Sequence, residues 1–317
     1  MQPSRRTFLA GAAAAAALPY LTTGGGAPVA LWRGLRLADP FTLGVASGDP
    51  TADGIVLWTR LAPRPLDETG RGGMPARPVE VEWQLAADER FRRIMRKGTV
   101  TARPEHAHSV HVEVAGLEPG REYFYRFRAL GEVSPAGRTR TAPAPGTLGA
   151  LTFVTASCAH YEHGYYTAYR RLAQEEPDLV VHLGDYMYEY GRGGYTGISG
   201  LVRRHAGGKC RTLADYRTRH AQYKTDPDLQ AAHAAAPWLV VFDDHEVENN
   251  WAGPVSGTGA KDFAARRRAG LRAYYENLPL RRSAMPRGDR MRLHRRIAWG
   301  SLAAFHLLDT RQCRDDQ

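Results

Sequence analysis

Four short blocks of the chain carry the residue types able to do chemistry. They are Ala156-Ser157-Cys158, the run from Gly184 to Tyr190, the run from Asp243 to Asn250, and Asp309-Thr310-Arg311. In the second block Asp185 has two oxygens and so can bridge two cations. A phenol normally loses its proton near pH ~10, so Tyr188 ligates as phenolate only beside a strong Lewis acid, which points to ferric iron more than to zinc. Cys158 as thiolate is a soft donor, suited to a transition metal and not to magnesium or calcium. The remaining carboxylates and amides suit a harder divalent ion. The expectation is a mixed cluster, with Fe(3+) on Cys158, Asp185 and Tyr188. A harder cation shares Asp185 with Asp244 and with Asn249 or Asn250. Two or more cations ~3.5–4 Å apart clamp a phosphoryl group and activate a water or hydroxide. His245 is placed to protonate the leaving oxygen as general acid, and Arg192 to bind a phosphate oxygen. The competing readings are plain ones: a buried inert thiol at Cys158, core packing at Tyr188, a turn residue at Asp185 and a solvated guanidinium at Arg192. Asp243 reads as a helix cap, Glu246 and Glu248 as supporting or ion-paired groups, and Cys210 and Cys313 as structural or incidental.

These blocks need elements that bring them to one place. Leu151–Ala156, Leu179–Gly184, Trp238–Phe242 and Leu302–Leu308 read as strands, each ending in one of the four blocks. Helices are expected over residues 165–176, 213–236 with a break at Pro227, and 262–277. Strand–helix–strand alternation argues for a largely parallel layered sheet, whose strand ends share one edge where ligands bind. Gly191–Gly208 is a long glycine-rich loop, of a kind that is often functional. Residues before the linker Ala142–Gly146 behave differently. Ile55–Thr59, Val79–Leu85, Val110–Val114 and Glu122–Arg128 are short and mostly alternate apolar with polar, with Thr139–Thr141 opening a last strand. That pattern predicts a β-sandwich. Leu117–Tyr123 resembles the corner of fibronectin type III-like domains, where a tyrosine hydroxyl ties a loop to its strand. His106, His108 and His111 are read as part of a solvated loop and not as a metal site.

Composition narrows the class. The net charge of +10 is carried mostly by arginine. It favours phosphate-bearing substrates, but the basic residues are dispersed and no nucleic-acid motif is present, so sequence-specific nucleic-acid binding is not expected. Three cysteines are too few for a disulfide framework, and the lack of a CxxC motif speaks against an intracellular redox or zinc protein. At the amino terminus Ser4-Arg5-Arg6-Thr7-Phe8-Leu9 precedes a weakly apolar alanine-rich run. That arrangement looks like a twin-arginine export signal, implying the translocation machinery as a partner and an extracytoplasmic location, secreted, periplasmic or in the cell envelope. The apolar run is too short for a membrane span, and no transmembrane segment is expected in the mature protein.

The four blocks together resemble the PhoD-like alkaline phosphatases, within the wider metallophosphoesterase fold. The resemblance runs over nearly the whole length. It implies residues 1–36 as signal and linker, 37–147 as a fibronectin III-like sandwich, and 148–317 as the N-terminal part of the phosphatase domain. It implies hydrolysis of phosphate mono- or diesters by a centre of one ferric ion with calcium, Ca(2+). Cys158, Asp185 and Tyr188 match iron-ligand positions, and Asp244 and one of Asn249 and Asn250 match other site positions. Members of the family carry a later Gly-Asp-x-His block, which this sequence lacks. The chain is therefore expected to be a fragment that by itself binds metal poorly and shows little activity. The alternative is a non-catalytic envelope protein that keeps an incomplete phosphatase domain.

Overall fold

A computed structural model describes residues 38–198 and 200–315. In chain order the strands and α-helices are β1 (Val45–Gly48), β2 (Ile55–Arg60), β3 (Val79–Ala86), β4 (Ile94–Ala102), β5 (Ser109–Val114), β6 (Glu122–Ala129), β7 (Glu132–Val133), β8 (Gly137–Arg140), β9 (Phe153–Ala156), α1 (Thr167–Gln174), β10 (Leu179–His182), α2 (Leu213–Lys224), α3 (Pro227–Ala235), β11 (Pro237–Val240), α4 (Phe263–Asn277), β12 (Arg295–Trp299) and β13 (Ala303–Leu307). The segment read as an export signal lies outside the described residues. Among the described residues no helix is long and apolar enough to cross a membrane.

The sheet that carries the chemistry has six strands in the order β5-β2-β1-β11-β10-β9. β9, β10, β11 and β1 run parallel, while β2 and β5 are antiparallel to their neighbours. β10 and β11 are buried along their whole length, which is why they read as continuous apolar runs and not as alternating ones. Register matters most at their carboxyl ends. Ala156 pairs with His182, and His182 with Val240. Cys158, Asp185 and Asp244 therefore lie two, three and four residues beyond three level positions.

Residues 38–141 form two facing sheets, with β1, β2 and β5 opposite β4-β3-β6-β7 and β8. Their inner faces share a core of Val45, Ile55, Leu57, Val81, Leu85, Val112, Tyr125 and Phe127. The expected corner is present, since the Glu118 amide donates to Tyr123 Oη at 3.0 Å. The sandwich is not closed off from the α/β half of the chain. β1 pairs in parallel with β11, so one of its sheets continues directly into the α/β layer. Leu37–Gln317 forms one compact unit. A division at residue 147 separates chain segments, not hydrogen-bonded sheets.

Two expectations need correction. β13 was expected among the parallel strands, but it pairs antiparallel with β12 in a two-stranded hairpin. Its Phe305 meets Phe153 edge-on at 5.5 Å. His108 is fully buried and not in a solvated loop, with Nε2 2.9 Å from the Arg77 carbonyl. His111 stacks on Tyr275 and His106 Nδ1 lies 3.8 Å from Glu276 Oε1, so the three early histidines have separate partners. The break between α2 and α3 follows from capping. Asp226 accepts the amides of Asp228 and Leu229, and Pro227 occupies the first helical turn, where its missing N–H costs nothing. α2 starts with a reciprocal capping box between Thr212 and Asp215.

Candidate metal centre

Three loops meet beyond the parallel strands. The turn after β9 puts Cys158 at φ 56°, and the turn after β10 puts Asp185 at φ 53°. Asn250, at the end of the third loop, has φ 58°. Non-glycine residues rarely adopt this left-handed region, and such strain gathers at functional sites. Gly184 has to be glycine. Its φ is +111°, and an added Cβ would lie 2.6 Å from both the Cβ and the backbone nitrogen of Asp243. The Asp185 loop and the Asp244 loop therefore touch backbone to backbone.

The structure brings Cys158, Asp185 and Tyr188 together. Asp185 Oδ2 lies 3.6 Å from Cys158 Sγ and 3.2 Å from Tyr188 Oη. Its other oxygen, Oδ1, accepts the His245 amide at 3.3 Å. Asp185, Asp244 and His245 each contribute a donor atom to a group no wider than 4.8 Å. His245 thus stands where a ligand could, as well as where an acid was expected. Asp185, Tyr188 and Asp244 are buried, whereas Cys158 is exposed and not the buried thiol of the plain reading. It opens onto a cleft of about 610 Å³ lined also by His160, His163 and Tyr165.

Other expected residues fall differently. The side chains of Asn249 and Asn250 form no hydrogen bond among the described residues. Their backbone amides hold the site instead, Asn249 donating to Glu189 Oε1 at 3.1 Å and Asn250 to Asp244 Oδ2 at 2.7 Å. Arg192 is exposed on its loop and makes no ion pair or hydrogen bond with the site among the described residues. Asp243 caps no helix; its Oδ1 accepts from Arg311 Nε at 2.5 Å. Arg311 also donates to Asp244 Oδ1 at 3.1 Å, so the fourth block reaches the site although its strand has left the sheet.

Supporting groups lie beneath. Fully buried Glu246 accepts the amides of Tyr186 and Asp243 at 2.6 and 2.9 Å, joining the two ligand loops. Glu248 pairs instead with Arg266. Glu189 was not singled out from the sequence, yet its Oε2 lies 2.9 Å from His245 Nδ1. The signal for it was present, as an acid one residue after the proposed phenolate.

The electrostatics favour a cation. Burial raises the Asp185 pKa; His245 opposes this, and the Asp244 and Asp243 carboxylates add to it. Burial likewise pushes Tyr188 up, with Asp185 and Cys158 adding to the shift, and the exposed Cys158 thiol is raised by partial desolvation of its sulfur together with the Asp185 charge. Burial acts to lower the His245 imidazole, but its bond to Glu189 and the nearby carboxylates outweigh this and raise its pKa. The Asp185 carboxyl, the thiol and the phenol thus resist ionising together, a conflict that a bound cation relieves. The donor set fits a metal ion.

Buried donors at the carboxyl ends of parallel strands define a metal-binding α/β protein joined to a β-sandwich. The chain belongs to the PhoD-like phosphatase family: residues 153–317 match the PhoD-like phosphatase domain and residues 32–143 its N-terminal domain. It is 57% identical over 281 residues to alkaline phosphatase D of Bacillus subtilis (strain 168), a match covering 88% of this chain and 48% of that protein. A solved structure of PhoD superposes with a TM-score of 0.86 at 56% identity, covering 88% of this chain and 54% of the other. The chain spans about half the length of these relatives.

Proposed function

We propose that this chain is part of an exported, metal-dependent phosphoric ester hydrolase, an alkaline phosphatase or phosphodiesterase. Ferric iron is assigned to Cys158, Asp185 and Tyr188, and calcium to Asp185 and Asp244 with Asn249 or Asn250. One observation carries this reading: a thiol and a phenol both approach the same oxygen of a buried carboxylate, a donor set with no structural purpose in a sheet. Bound there, the ions would supply Lewis-acid charge for a phosphoryl group and a means of lowering the pKa of water.

The protein's own groups have separable tasks. His245 has a raised pKa and lies against Glu189, which suits it to donate a proton to the departing alkoxide. Glu189 fixes that ring. Arg311 offsets the charge of Asp243 and Asp244. Arg192 is proposed for a phosphate oxygen, as the loop guanidinium just beyond Tyr188. Export rests on the paired arginines near the amino terminus, and the translocation machinery is the partner they imply.

Release of p-nitrophenol from its phosphate monoester and diester by the native gene product tests the assignment. Activity is expected to need both iron and calcium and to vanish in Asp185→Asn. Phenolate bound to ferric iron absorbs visible light, so the iron-loaded protein should be coloured and Tyr188→Phe colourless. Undiminished hydrolysis by Asp185→Asn would refute the assignment.

A further inference from the structure

Tyr188 must hold its phenol against Asp185 although it sits at the start of a long loop. The contacts that fix its peptide come from one helix. Tyr223 Oη accepts the Tyr188 amide at 3.1 Å and the Tyr161 amide at 3.1 Å. Arg219 Nη1 donates to the Tyr188 carbonyl at 2.6 Å and also to the Tyr190 carbonyl. Its Nη2 reaches the carbonyls of Ala206 and Gly208, at the far end of the loop. Tyr216 donates to the carbonyl of Val247, three residues past Asp244. Tyr216, Arg219 and Tyr223 are spaced i, i+3, i+7, which is one face of α2. All three are buried, at 0, 1 and 0% exposure.

The placement of hydrogens extends this face. Tyr223 Oη already accepts two N–H groups, so its single proton goes to the remaining neighbour, His205 Nε2, at 3.1 Å. The neutral His205 then carries its proton on Nδ1, which faces Glu162 Oε2 at 3.6 Å. The Glu162 carboxylate in turn accepts the amides of Gly193 and His205. His160, Glu162 and His205 gather donor atoms within 4.8 Å of one another, as a second metal site would. Proton placement speaks against an ion there. His160 Nδ1 accepts the Glu162 amide at 3.3 Å and His205 Nε2 accepts the Tyr223 hydroxyl, so each ring's other nitrogen bears hydrogen and has no lone pair to give.

We propose that the buried face of α2, through Tyr223 and Arg219 with His205 behind them, is the positioning element of the metal centre, fixing the Tyr188 peptide from both sides while Tyr216 ties the same helix to the Asp244 loop. The inference rests on the metal-centre reading above. None of these residues touches a substrate; they act through Tyr188. Outer partners of metal ligands typically contribute 10–100-fold to metal affinity or activity.

Cobalt(II) titration of the native gene product, followed by visible absorption, tests it. Tyr223→Phe and His205→Leu are expected to weaken cobalt binding at least ~10-fold. His205→Gln, which keeps an acceptor for the Tyr223 hydroxyl, should restore it to within a few-fold. Tyr123→Phe, in the distant sandwich, should leave the affinity unchanged, so a general loss of stability would not mimic the pattern. Should Tyr223→Phe fail to fold, the comparison of His205→Leu with His205→Gln decides. If the wild type binds cobalt but the variants bind it equally well, the positioning role is overturned and the metal centre stands. If the wild type binds no cobalt saturably, the metal-centre reading falls first and takes this inference with it.

Discussion

Replacing Gly184 by alanine should damage the protein in a way that separates backbone strain from collision. At φ +111° an alanine is outside even the small left-handed basin, at a cost of about 1–3 kcal/mol. Its methyl would also lie 2.6 Å from Asp243 Cβ and the Asp243 nitrogen. Backbone cannot swing aside as a long side chain can, and overpacking of this kind costs about 1–3 kcal/mol more. The sum is about 4 kcal/mol, or roughly 10 °C in Tm for a chain of this size. Gly131 is the control. It too has positive φ, +87°, but an added Cβ there meets nothing within 4 Å. Gly131→Ala should cost only the strain, about 1–2 kcal/mol. Thermal melts of both variants give the difference directly. Metal titration adds a second reading, since the collision separates the Asp185 and Asp244 loops and should weaken binding only in Gly184→Ala. If the two variants melt together and bind metal alike, the close approach of the loops is not what demands glycine at residue 184.

Two further outcomes concern the scaffold. Burial alone would raise the Glu276 pKa, but hydrogen bonds from Arg217 and His106, with the charges of Arg217 and Arg272, hold it at about 2 against an ordinary 4.5. That gap corresponds to about 3 kcal/mol of stability. Because the folded pKa is depressed, the contribution is fully present above pH ~4.5 and is lost as pH falls through about 2. Denaturant melts should therefore show Glu276→Gln destabilised at pH ~7, with its deficit shrinking between pH ~5 and ~2; a pH-independent deficit would contradict the linkage. Tyr123→Phe removes the acceptor of the Glu118 amide and should cost about 1 kcal/mol in a urea melt.

Much of the site was legible because its residue types are chemically odd where they stand. A thiol, a carboxylate and a phenol directly after apolar runs need no tertiary information to suggest a metal. The runs themselves could be read as strands, and Pro227 as a helix boundary, because periodicity and capping are local. Glu189, Glu246 and the buried face of α2 carried weaker signals. An acid that accepts two backbone amides looks in sequence like any other acid. Tyr216, Arg219 and Tyr223 look like ordinary helix residues until the loops they grip are in view.

Sequence by itself brought out the thiol, carboxylate and phenol that lie together, most of the elements that lead into them, and the contrast between an alternating-strand half and a strand–helix half. Tertiary structure alone decided that β1 joins β11, so that the two halves share a sheet, and that β13 leaves that sheet while Arg311 still reaches Asp243 and Asp244. Strand pairing between distant segments depends on which edges meet and in what register, and neither is encoded in the spacing of residues along the chain.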